Sequence, residues 1–136
     1  MPAKDQFHEA VKNALIKDGW TITDDPLRLQ LGEIDMYADF GAEKIFGAEK
    51  NGQKIAVEVK SFMQASRTSE FHTALGQFLN YRLALKGTQR ELYLAVDEEI
   101  YDTFFILLLP QTAIQEYQLK LIIYELEKEE IIEWKN

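Results

Sequence analysis

The chain contains no cysteine, which excludes a disulfide framework and any thiolate metal site. It has only two histidines, His8 and His72, with no metal-ligand pattern around either. His72 lies near Ser69, but no third member and no nucleophile elbow make a triad of them. The longest apolar run, Phe104 to Leu109, is far shorter than the roughly 20 residues a membrane-spanning helix needs. Met1-Pro2-Ala3-Lys4-Asp5-Gln6 does not lead into an apolar signal region. The expectation is a cytoplasmic protein with no membrane contact. There is no repeat, low-complexity tract or Gly/Ser linker, so the 136 residues are expected to form one domain spanning 1–136.

A basic excess is also missing. The net charge is -8, and it is unevenly placed. Residues 1–90 hold 12 acidic and 12 basic side chains, whereas residues 91–136 hold 11 and 3. The surplus in the last third suits either a solvated acidic face or recruitment of a basic partner. It argues against strong nonspecific binding of nucleic acid through that part of the surface.

What is present is a regular alternation of elements. Phe7, Ala10, Val11, Ala14 and Leu15 recur at helical spacing between Asp5 and Lys17, and Asp18-Gly19 ends that helix. Short strands are expected at Trp20–Thr23 and Leu27–Leu31. From Ile34 to Lys60 the pattern predicts a long strand, a turn at Asn51-Gly52 and a second strand. A second helix is expected over Ser69–Lys86, closed by Gly87. Strands follow at Glu91–Val96, Lys120–Glu125 and Glu130–Trp134, with a helix over 98–108. This order predicts an α/β sandwich with a central mixed β-sheet flanked by helices.

Asn51-Gly52 also predicts a register. With those two residues as the loop, Lys50 faces Gln53, Ile45 faces Glu58 and Glu43 faces Lys60. Alternation along a strand then puts Ala56, Glu58 and Lys60 on one face with Glu43 and Glu49. Asp39 joins them if the first strand runs straight back. Ile55, Val57 and Val59 form an apolar stripe on the other face. Two carboxylates can hold a hard divalent ion through oxygen, with the Val59 carbonyl as a further ligand. A neighbouring lysine can orient a water or offset charge on a phosphate. On its own, Glu-x-Lys on a strand is a common solvent-facing charge pair. Gln77 and Tyr81, one helical turn apart, can face the same site, or else border the core.

Five stretches carry a family resemblance. They are Asp39 to Lys50 followed by Lys54-Ile-Ala-Val-Glu-Val-Lys-Ser-Phe62, then Ala74-Leu-Gly-Gln-Phe-Leu-Asn-Tyr81 with Leu92-Tyr-Leu-Ala-Val96, then Ile131-Ile-Glu-Trp134. Together they resemble the XisH family of cyanobacterial excision controlling factors, which is similar to the PD-(D/E)XK, restriction-endonuclease-like superfamily. The resemblance implies Asp39 as first acid, Glu58 as second and Lys60 as the lysine, with Glu43 a rival for the first position. Gln77 and Tyr81 resemble the Gln-x-x-x-Tyr element of RecB-like nucleases. Glu9 resembles a helix-borne glutamate near the metal, against its plainer reading as a surface charge paired with Lys12 or Asn13. One departure is Tyr37-Ala38 where a proline would precede Asp39.

By resemblance, the protein supports programmed excision of a DNA element by a separate site-specific recombinase, together with an XisI-type companion. Two readings stand side by side. One is a Mg²⁺- or Mn²⁺-dependent DNA phosphodiesterase using Asp39, Glu58, Lys60, Gln77 and Tyr81, with metal contacts from Asp39 or Glu43, Glu58, Val59 and Glu9. The other is a catalytically idle regulatory subunit that binds DNA and protein. Fold-level analogy adds a homodimer. The apolar run Phe104–Leu109 reads as core, or as an interface if part of it is exposed.

Overall fold

A computed structural model describes residues 4–36 and 45–136. The first helix, α1 (Lys4–Lys17), buries Phe7, Ala10, Val11, Ala14 and Leu15, the stripe its spacing predicts. It ends at Gly19, whose φ of +95° favours glycine. The strands are β1 (Thr21–Asp24), β2 (Gln30–Leu31), β3 (Ile34–Asp35), β4 (Ile45–Lys50), β5 (Gln53–Val59), β6 (Arg90–Asp97), β7 (Leu121–Glu125) and β8 (Glu130–Lys135). The second long helix, α2 (Arg67–Leu85), links β5 to β6. Ser66 caps it by accepting a hydrogen bond from the Ser69 N–H at 3.1 Å.

Six strands form one mixed sheet in the order β1-β4-β5-β6-β7-β8. The β5–β6 and β6–β7 pairs are parallel, and the others are antiparallel. Helices cover both faces, as a sheet with parallel central strands requires. Phe46, Ala48, Ile55, Val57 and Val59 pack with α1 on one side. Ile45, Ala56, Leu92, Leu94 and Val96 pack with Phe71, Ala74, Phe78, Tyr81 and Leu85 of α2 on the other.

The β4–β5 register is the one the turn predicts: Lys50 faces Gln53, Gly47 faces Ala56 and Ile45 faces Glu58. Asn51 has φ +52° and Gly52 has φ +81°, the pair of positive values that an Asn-Gly turn supplies.

Three expectations need correction. The stretch before β4 is not one long strand, because Ile34–Asp35 pairs with Gln30–Leu31 in a separate two-stranded sheet. For the same reason Leu27–Leu31 contributes only its last two residues to a strand. The expected helix over 98–108 is a short α-helical turn, α3 (Glu98–Ile100), running into a π-helical turn at Tyr101–Phe105. A further helix, α4 (Leu108–Tyr117), then precedes β7. Its first two residues, Leu108 and Leu109, belong to the apolar run, and Pro110, seated in its first turn, is a residue that opens helices as readily as it ends them.

Candidate metal and phosphate site at the end of strand β5

Glu58 is the next-to-last residue of β5. Its cross-strand partner Ile45 and its same-face neighbour Ala56 both belong to the core beneath α2. Glu58 is only 1% exposed, and both carboxylate oxygens are buried. It is therefore not the solvent-facing charge that Glu-x-Lys usually signals. Burying a carboxylate is costly unless charge or hydrogen bonds compensate it.

Lys60 follows on the same face, half-buried just past the end of the strand. Its backbone N–H donates to the Ala95 carbonyl at 3.2 Å, so the chain stays aligned with β6 one residue beyond β5. Ser61 is buried. Phe62 then takes φ +54°, a left-handed conformation that costs a non-glycine residue about 1–2 kcal/mol. Its ring is buried and meets Phe105 edge-on at 5.4 Å and Phe104 at 6.0 Å. That packing holds the sharp turn immediately after Lys60.

The turn leads into α2, whose first residues start from the Lys60 end of β5. Glu70, Ala74, Gln77 and Tyr81 recur at i, i+4, i+7 and i+11 and share one side of the helix. Ala74 and Tyr81 are in the core. Glu70 Oε2 and Gln77 Oε1 are buried. A helix rises about 1.5 Å per residue, so Gln77 lies about 10 Å along the helix axis from Glu70. Glu70 was not singled out from the sequence. Its only signal there was its place on the Gln77–Tyr81 line, and first-turn glutamates are common enough as helix-dipole partners to mask it.

The XisH protein family matches residues 1–132. The chain belongs to the XisH family. An XisH family protein from Nostoc punctiforme PCC 73102 is 51% identical, with a TM-score of 0.89 over 97% of this chain and 100% of that one. A fdxN element excision controlling factor protein from Anabaena variabilis is 53% identical, with a TM-score of 0.89 over 97% of this chain and 99% of that one. No curated protein matches the chain.

In this XisH chain the residues expected at the site are distributed unequally. Glu58, Lys60, Gln77 and Tyr81 lie on the α2 side of the sheet. Asp39 and Glu43, the rivals for the first acid, lie outside the described residues. The Val59 side chain is buried on the α1 side. Glu9 is not brought to Glu58: it sits exposed on α1, which packs on the opposite face, and its carboxylate pairs with Lys12 at 3.5 Å. Among the described residues no three carboxylate or imidazole groups converge as a metal cluster.

Three arginines of α2 and β6 are committed to contacts within the fold. Arg90 donates to the Ile55 carbonyl at 2.8 Å and pairs with Asp24 at 2.9 Å. Arg82 donates to the Tyr117 carbonyl and Arg67 to Thr103 Oγ1, both at 2.8 Å. Among the described residues no helix is long and apolar enough to cross a membrane.

Proposed function

We propose that this XisH-family chain is an excision controlling factor that supports programmed excision of a DNA element, and that the end of β5 is a Mg²⁺-dependent DNA phosphodiesterase site. The observation that carries the reading is a buried Glu58 followed on the same face by Lys60, at a strand end that opens beneath the first turns of α2. The arrangement suits the PD-(D/E)XK pattern. The relative from Anabaena variabilis, described as a fdxN element excision controlling factor, supports the setting.

The donor chemistry suits a hard divalent ion, since Glu58 offers carboxylate oxygens at the strand end and Glu70 a carboxylate in the first turn of α2. Bound there, Mg²⁺ would supply a Lewis acid for a phosphoryl oxygen. Glu58 would hold the ion, with the first acid coming from Asp39 or Glu43. Lys60 Nζ would orient the attacking water or meet the charge that develops on phosphate as one P–O bond opens. Gln77 and Tyr81 would brace the helix side of the site.

The test is titration with Mn²⁺ by calorimetry, alongside nicking of supercoiled DNA with Mg²⁺ or Mn²⁺. Wild type is expected to bind the metal and nick DNA. Lys60→Ala is expected to bind the metal and lose nicking by about 10²-fold or more. Absence of metal binding and of cleavage in the wild type would sink the reading.

A second reading is favoured by one observation, the concentration of the whole net charge of -8 in residues 91–136. In it the chain is a catalytically idle subunit working with an XisI-type companion and a recombinase. Excision that survives in the Lys60→Ala variant would support it.

A further inference from the structure

We infer that Ile106–Leu109, with the acidic cleft beside it, is a docking surface for a protein segment that carries apolar side chains flanked by lysine or arginine. The run Phe104–Leu109 divides sharply in the fold. Phe104 and Phe105 are buried, whereas Ile106, Leu107, Leu108 and Leu109 are 57, 50, 83 and 48% exposed. Four consecutive large aliphatic residues open to solvent form an apolar patch of the kind that marks interaction sites.

The knuckle is held in shape from both sides. The Leu107 N–H donates to the Phe104 carbonyl at 3.0 Å, and the Gln111 N–H donates to the Leu107 carbonyl at 3.1 Å. The Gln111 side chain donates to the Phe105 carbonyl at 2.5 Å.

Charge identifies the occupant. Asp102, one turn before Ile106, lines a cleft of about 390 Å³ together with Asp97, Glu98, Glu99, Glu125 and Glu127. No lysine or arginine among the described residues lines it. A second copy would bring the same carboxylates against these in a symmetric contact, and DNA or an anionic membrane would be repelled likewise. A basic, apolar protein segment matches both halves of the surface. This inference stands on the patch and its charge, independently of any hydrolytic site.

The experiment uses the full chain and two labelled helical peptides that share one leucine pattern, with lysines at the remaining positions of one and glutamates in the other. Fluorescence anisotropy is expected to show binding of the Leu/Lys peptide only. Leu108→Glu, and separately Glu98→Lys combined with Asp102→Lys, are expected to weaken it by about tenfold or more. Ile16→Glu, which changes an exposed apolar residue on α1, is expected to leave it unchanged. Leu108→Ser provides a second, uncharged variant. The inference is overturned if wild type does not bind, if Leu108 variants bind normally, or if Ile16→Glu weakens binding equally. A wild-type dimer that Leu108→Glu dissociates, seen by light scattering, also overturns it, because a second copy then owns the surface.

Discussion

Ile45 stands directly opposite Glu58 across the β4–β5 hairpin. The pair carries a buried aliphatic side chain and a buried carboxylate into the same layer beneath α2. Glu58 is thus shielded by its own hairpin partner while it remains one residue from the strand end, where Lys60 emerges.

Glu58→Gln is expected to keep the fold, because the amide preserves the shape of the buried side chain. If the site holds a divalent ion, Mn²⁺ at 100 times its Kd should stabilise wild type by about 2.7 kcal/mol. The same Mn²⁺ should leave Glu58→Gln unshifted. Thermal melts with and without Mn²⁺ measure both effects.

Gln77→Leu separates packing from chemistry. The Gln77 Oε1 is buried with no hydrogen-bond partner among the described residues. Replacing a poorly satisfied amide by an aliphatic group of similar size costs little stability. Unfolding in urea should be unchanged or shifted to higher concentration, while DNA nicking falls. A large loss of stability would assign Gln77 to the core alone.

Phe62→Ala should cost about 3–5 kcal/mol, the usual range for a buried phenylalanine. The loss removes the ring that meets Phe104 and Phe105 and leaves the left-handed turn after Lys60 unsupported. Chemical denaturation gives the magnitude.

Gly47→Ala tests a close approach within the sheet. A methyl group there would meet Arg90 Nη1 at 2.6 Å and Thr23 Oγ1 at 3.1 Å. Arg90 cannot retreat without releasing the Ile55 carbonyl and Asp24. The variant should lose about 1–3 kcal/mol, the cost of overpacking.

The pH dependence has a local source at the α1–β1 corner. Burial works to raise the Asp25 carboxyl, but hydrogen bonds from Lys12 and His8 outweigh it and hold Asp25 below its ordinary value. A carboxyl depressed in the fold stabilises above its unfolded value near 3.8. That contribution drains away as pH falls through the lower folded value. Asp25→Asn should therefore destabilise at neutral pH, by up to about 1 kcal/mol for a partly exposed cluster. In strong acid the variant and wild type should converge. Melts across pH 2–7 read the difference.

The sequence by itself determined the hairpin, its register, and the common face of Glu58 and Lys60. The reason is local: Asn51-Gly52 adopts the positive φ values of a tight turn, and strand alternation does the rest. It also determined α1, α2 and the strands β6, β7 and β8, because apolar periodicity reports a buried face. Family motifs spread along nearly the whole chain carried the XisH assignment. Only the tertiary structure decided that Glu58 is buried, since that depends on α2 closing over the face that Glu58 shares with Ile45 and Ala56. It separated Glu9 from Glu58 by placing α1 on the opposite side of the sheet, which helical spacing cannot report. It broke Ile34–Lys50 into elements of two different sheets. It also divided one apolar run, sending Phe104 and Phe105 inward through a π turn and leaving Ile106–Leu109 in solvent. Hydrophobicity alone ranks those six residues alike, and only the packing around them tells core from surface.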